Sequence, residues 1–153
     1  MNWNKLNGQI DIENFMELFG EFHDSCLKEL YMWTETSVGE DFSMSMSIEL
    51  DTCVRVLFQR QVPEPSAIEL LFKGVTQFHV VPRAEGQDAS IYGAKLMVRE
   101  GLFYWAEDEE WQLNQPFLHP ISWISAKELL WRDASSWMGE DLRYGVLKDE
   151  ENQ

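Results

Sequence analysis

The densest run of side chains able to do chemistry is Phe22-His23-Asp24-Ser25-Cys26-Leu27-Lys28-Glu29. A carboxylate can orient an imidazole, and a thiol beside a base can act as a nucleophile. His23, Asp24 and Cys26 are therefore the candidate catalytic residues. Neighbours in sequence rarely face one another, however, and Cys–His dyads are usually assembled from distant segments. The plainer reading has His23 and Asp24 capping a helix end and bonding the turn, with Cys26 packed as a small apolar residue. Imidazole plus carboxylate also suits zinc or iron, and His79 or His119 could join His23 and Asp24. No ligand spacing supports that grouping, so neither a metal nor a cofactor is expected.

A second cluster is Trp105-Ala106-Glu107-Asp108-Glu109-Glu110-Trp111. Four carboxylates between two indoles could bind a basic partner, the charge steering it and the rings holding Arg by cation–π contact. Trp105, Glu107, Asp108, Glu109, Glu110 and Trp111 are the candidate partner-binding residues, placed on an exposed hairpin tip. The alternative is a solvated turn whose indoles point into the core. The spacing is not that of a calcium loop. A third feature, Arg55 with Phe58-Gln59-Arg60-Gln61, reads as the solvent side of a half-buried sheet or the lining of a concave face. The phosphate-cradling loop, the dinucleotide fingerprint, the zinc-protease His-Glu-x-x-His, the nucleophile elbow and Cys-x-x-Cys are all absent from the sequence.

The elements that must position these residues are mostly strands. Ile12, Phe15, Met16 and Phe19 recur at helical spacing, which predicts a helix over about 11–19, with Asp11 as N-cap and Gly20 at its end. From about Cys26 the period changes to two. Ser43–Leu50 alternates Met44, Met46, Ile48 and Leu50 with serines and a glutamate, which predicts a strand. Asp51-Thr52 leaves room only for a tight turn into a second strand, Cys53–Gln61. Further strands are read at Ile68–Phe72, Phe78–Val81, Ser90–Arg99 and Leu102–Ala106, the last two joined across Glu100-Gly101. Ile121–Arg132 reads as one bent or bulged strand.

The expected fold is therefore mainly β (α+β), a single domain over 1–153 with antiparallel strands over about 26–132. It is a curved sheet or two-layer sandwich carrying the N-terminal helix, with a closed barrel as the alternative. An acidic tail over about 139–153 carries Glu140, Asp141, Asp149, Glu150 and Glu151, and its last residues are expected to fray.

The 153 residues carry 27 acidic and 12 basic side chains, a formal charge of −15. Such a surface repels nucleic acid and anionic membranes and favours a basic protein as partner. The start of the chain lacks the pattern of a signal peptide, no run is long and apolar enough to span a bilayer, and two cysteines suit a reducing compartment. A soluble, cytoplasmic protein is expected; the oligomeric state is left open.

Phe19-Gly20-Glu21-Phe22-His23-Asp24-Ser25-Cys26-Leu27-Lys28-Glu29, with Val56-Leu57-Phe58-Gln59-Arg60-Gln61, Trp123-Ile124-Ser125-Ala126-Lys127 and Trp131-Arg132, resembles a group of small uncharacterised bacterial proteins. They share a Phe-His-Asp-x-Cys-hydrophobic-Lys-Glu start. The resemblance runs the length of the chain and implies no activity. The first third is also similar to all-β immunity-type proteins of bacterial toxin systems, which implies a protein partner. Three functions follow as expectations. The first is a non-enzymatic binding protein for a basic partner, immunity-like in form. The second is a small hydrolase-like or metal-dependent enzyme using His23, Asp24 and Cys26. The third is a small-molecule-binding β module with an aromatic-lined pocket.

Overall fold

The computed structural model describes residues 2–117 and 119–145. Its frame is one open antiparallel sheet of seven strands in the order β2-β5-β6-β9-β8-β7, with β1 pairing on β9. The strands are β1 (Asn4–Lys5), β2 (Ser25–Trp33), β5 (Cys53–Arg60), β6 (Ala67–His79), β7 (Lys95–Arg99), β8 (Leu102–Ala106) and β9 (Trp123–Asp133). A separate two-stranded ribbon joins β3 (Ser37–Val38) to β4 (Met44–Ser45). The expected mainly-β fold with one packed helix is therefore what the chain adopts, as a single open sheet and neither a barrel nor a sandwich. At one corner Ser25, at the start of edge strand β2, bridges Ile91 in the loop that leads into the other edge strand, β7.

The helix α1 (Gln9–Leu18) shares one core with one face of the sheet. Its apolar stripe was legible: Ile12 and Phe15 are buried, and so is Phe19 just beyond its end. Gly8 occupies the N-cap position and Asp11 lies inside the first turn, its carboxylate accepting the Asn7 N–H at 2.8 Å. The stripe packs on Val54, Val56 and Phe58 of β5 and Ile68, Leu70 and Phe72 of β6, with Trp105 and Leu129 beyond. Phe22 centres an aromatic cluster, its ring 4.9 Å from Phe58 and 5.0 Å from Phe19 in edge-on contact. Each such ring, fully buried, contributes about 1.5–3 kcal/mol of transfer free energy.

The opposite face carries charge. Glu69, fully buried near the start of β6, receives Arg55 from β5 at 2.7 Å and Arg132 from β9 at 2.5 Å. The Tyr144 hydroxyl donates to the same carboxylate at 2.6 Å. Both ends of the described chain cover this trio. Trp3 lies under both guanidiniums, and Trp137 under that of Arg132. The segment 134–145 is strapped across the sheet: Gln59 donates to the Trp137 and Gly139 carbonyls, Lys28 to Glu140, and Glu29 accepts the Arg143 and Tyr144 N–H groups. Residues 139–145, the start of the acidic tail, thus pack back on the sheet; the last residues, where fraying is expected, Asp149, Glu150 and Glu151 among them, lie outside the described residues. Arg55 and Gln59 are spent on these contacts, and Arg60, on the other face, donates to the Pro65 and Leu18 carbonyls.

Three strand expectations are corrected. Ser43–Leu50 is not a strand of the sheet, and it forms no hairpin with β5: only Met44–Ser45 pairs, and it pairs with Ser37–Val38. The place beside β5 is taken by β2, with Trp33 opposite Cys53, so 34–52 is an excursion between two paired strands. The segments read as Ile68–Phe72 and Phe78–Val81 join in one strand, β6, which ends at His79 and leaves out Val80 and Val81; its register with β9 slips between Val75 and Gln77. Gly74 sits beside the slip with φ +66°, and a side chain there would meet Lys127 and Leu50. Ser90–Arg99 is strand only over Lys95–Arg99. The Glu100-Gly101 turn is as expected, both residues having positive φ as a type I′ hairpin requires.

Candidate partner-binding cleft

The carboxylates 107–110 follow β8 and begin the connection to β9; they are not at a hairpin tip, which belongs to Glu100-Gly101. The connection is closed at its base by Glu107 and Ser122. The Glu107 N–H donates to the Ser122 carbonyl at 3.1 Å, and the Ser122 N–H donates back to the Glu107 carboxylate at 2.8 Å. Asp108 shapes the turn by accepting the Glu110 N–H at 2.9 Å. Trp111 then turns inward and lies 5.0 Å from Trp123, while Lys95 donates to its carbonyl at 2.8 Å. Trp105 is buried in the main core against Phe58 and Phe22. Neither indole is presented to a partner, so the two rings flank the acidic run in sequence but not in space.

The opposing wall is the loop 81–93. The Val81 N–H is held by the Ser122 hydroxyl at 2.8 Å, and the far end is fixed by the bridge from Ile91 to Ser25. Between the walls lies a cleft of about 790 Å³. Asp88, Glu107, Asp108, Glu109 and Glu110 line it, against one guanidinium, Arg83, and one imidazole, His119. Arg83 donates to the Gln87 carbonyl of its own loop. Glu109 lies so close to Gly93 that a Cβ there would be 2.8 Å from its carboxylate oxygen. Burial holds the Glu107 carboxyl above the usual glutamate range; the Ser122 N–H opposes this and the neighbouring Asp108 reinforces it. Asp88, by contrast, is lowered by the hydrogen bonds it accepts from Ser90. A half-buried carboxylate among others is a place where an incoming cation gains most. Asp88 and the 81–93 wall were missed: the loop was legible from Pro82 and Gly86, but its apposition to residues 25 positions later was not.

The other candidates are dispersed. His23 donates through Nδ1 to the Tyr92 carbonyl at 2.7 Å, and its Nε2 is 3.4 Å from Asp24. Asp24 adopts φ +57°, and its backbone joins the turn to Ile91 and Gln61. Cys26 lies on β2 opposite Gln59, half-buried, and no hydrogen bond among the described residues involves its thiol. His79 stacks on Trp123, and His119 meets Phe117 edge-on. Among the described residues no group of His, Cys, Asp and Glu is placed to hold a metal ion, and no helix is long and apolar enough to cross a membrane. Compared with family models, curated proteins and solved structures, the chain matches none at a significant level.

Proposed function

We propose that this chain is a non-enzymatic binding protein whose partner is a basic protein, engaged at the cleft between loops 81–93 and 107–122. The observation that carries the reading is the cleft's charge: five carboxylates line it, against Arg83 and His119. The likeness of the first third to immunity-type proteins gives the reading its most specific form, an acidic cover for a basic toxin. The hydrolase-like or metal-dependent alternative has less support, because the His23 ring is committed to a backbone carbonyl and a neighbouring exposed carboxylate. A small-molecule module with an aromatic-lined pocket also has less, since the cleft walls carry carboxylates and both flanking indoles are buried.

The test is capture of the partner from the native host followed by association kinetics at two salt concentrations. Replacing Glu107, Glu109 and Glu110 by Gln and Asp108 by Asn keeps the acceptor oxygens that the turn uses. At low salt this variant associates on the order of tenfold more slowly, with a smaller change in dissociation, because steering acts on encounter. An acidic partner, or rates indifferent to both salt and the substitutions, rejects the reading.

A further inference from the structure

Between Thr34 and Thr52 the chain leaves the sheet and returns to it, rooted by the pairing of Trp33 with Cys53 and by the Val75 N–H donated to the Thr52 carbonyl at 3.0 Å. This arm holds six of the sixteen exposed large apolar side chains among the described residues: Val38, Phe42, Met44, Met46, Ile48 and Leu50. Phe42 is 89% exposed, Met46 71%, and Ile48 fully so. Scattered exposed apolar residues are ordinary, but six within thirteen positions form the kind of patch that marks an interaction surface. Met46–Leu50 keeps the strict alternation of a strand in sequence yet belongs to none: the chain bends at Ile48-Glu49, where the Glu49 N–H donates to the Ser47 hydroxyl at 2.9 Å, and no sheet partner holds the segment, so an incoming strand would have to straighten this bend in order to pair.

The charges on the arm select the occupant. Glu35, Glu40, Asp41, Glu49 and Asp51 lie on it, with no Lys or Arg between Thr34 and Thr52; Lys73 and Lys127 stand only near its root. A second copy would bring two such sets of carboxylates together, and an anionic lipid surface would be repelled in the same way. We infer that the arm is a docking strand for an extended, basic polypeptide segment, which pairs with Met46–Leu50 and alternates apolar side chains with Lys or Arg. This rests on the basic-partner reading for the partner's charge alone, and it adds a second surface, apolar where the cleft is acidic.

The probe is a synthetic twelve-residue peptide alternating Lys with Val and Phe, titrated into the ¹⁵N-labelled full chain. The result expected is saturable shifts of the 44–50 amides. Binding falls at least about tenfold in the double variant Met46→Ser/Ile48→Ser and changes by less than about threefold in Glu13→Gln/Glu17→Gln, which removes two exposed carboxylates from α1, outside both the arm and the cleft. Both variants change exposed side chains, and their amide spectra report whether the fold is kept. Shifts confined to the cleft residues would overturn the arm's role while leaving the basic-partner reading standing. Equal binding of a peptide with Glu in place of Lys would overturn both. A dimer in sedimentation that Met46→Ser/Ile48→Ser disperses would make a second copy the occupant and overturn the inference. So would the absence of any shift up to about 1 mM peptide.

Discussion

At the scale of single residues, the His23-Asp24 turn is explained by backbone conformation. Asp24 stands at φ +57°, a region that costs most L-residues about 1–2 kcal/mol and that Asp, Asn and Gly tolerate. Its carboxylate is half exposed and its one close partner is His23 at 3.4 Å. Asp24→Ala is therefore expected to lower stability by about 1 kcal/mol in urea unfolding, while Asp24→Gly stays within about 0.5 kcal/mol of the parent. Equal losses in the two variants would show that the carboxylate itself matters. Glu107 makes the opposite case, a side chain whose ionisation opposes folding. Burial raises its folded-state carboxyl above the ordinary glutamate value of 4.5. The folded state then binds the proton more tightly than the unfolded one, so the destabilisation is absent below about pH 4.5 and grows as pH rises through the folded pKa. Glu107→Gln, whose amide oxygen can still accept the Ser122 N–H, is expected to be more stable than the parent at pH 7 and no more stable at pH 4. A gain that persists unchanged at pH 4 would place its origin elsewhere.

At the scale of elements, the sequence disclosed what depends on local period and failed where partners are distant. The α1 stripe Ile12, Phe15 and Phe19, the β7–β8 hairpin and its Glu100-Gly101 turn were all legible, because spacing and turn chemistry lie within a few residues of one another. Met44, Met46, Ile48 and Leu50 have a stronger strand pattern than most of β2, yet β2 holds the place beside β5. The pattern says that one face is apolar, not which strand it will pair with. The acidic run was legible as a candidate site, but its wall at Asp88 and the inward turn of Trp105 and Trp111 come from tertiary packing. The same holds for Glu69, which reads as a lone polar residue between Ile68 and Leu70 and is in fact the acceptor for two strands and the strap. A buried carboxylate so placed makes its removal costly, since two guanidiniums lose their counter-charge. Glu69→Gln should lose about 3–5 kcal/mol in chemical denaturation. Tyr144→Phe removes one hydrogen bond to the carboxylate and should lose about 1.5–3 kcal/mol. It should also speed amide exchange in the strap around Arg143 and Tyr144 before it affects α1. If Tyr144→Phe were neutral, the strap would be held by its other contacts, those to Lys28, Glu29, Gln59 and Arg132.

At the scale of the whole molecule, the excess of 27 acidic over 12 basic side chains bears on stability as well as on partners. Three of the cations, Arg55, Arg60 and Arg132, are turned inward onto Glu69 or backbone carbonyls, so they do little to neutralise the surface. Carboxylates are concentrated instead in the cleft and along the 34–52 arm, where like charges repel in the folded chain more than in the expanded one. Such repulsion between exposed groups is long-ranged at low ionic strength: the screening length is about 30 Å at 0.01 M and about 8 Å at 0.15 M. The competing effect is screening of attractive pairs. The exposed Lys5–Glu128 pair at 2.9 Å contributes at most about 1 kcal/mol and loses part of that, while the Glu69 pairs are buried and scarcely screened. Repulsion therefore outweighs attraction among the charges that salt can reach. Raising sodium chloride from 0.01 to 0.15 M should raise the Tm, each kcal/mol of relief being worth about 2–4 °C for a domain of this size. The variant neutralised at 107–110 should show a smaller rise, since part of its repulsion is already gone. A Tm that fell with salt in the parent chain would mean that surface ion pairs outweigh the net charge, and the acidic surface would then have to be read as internally compensated.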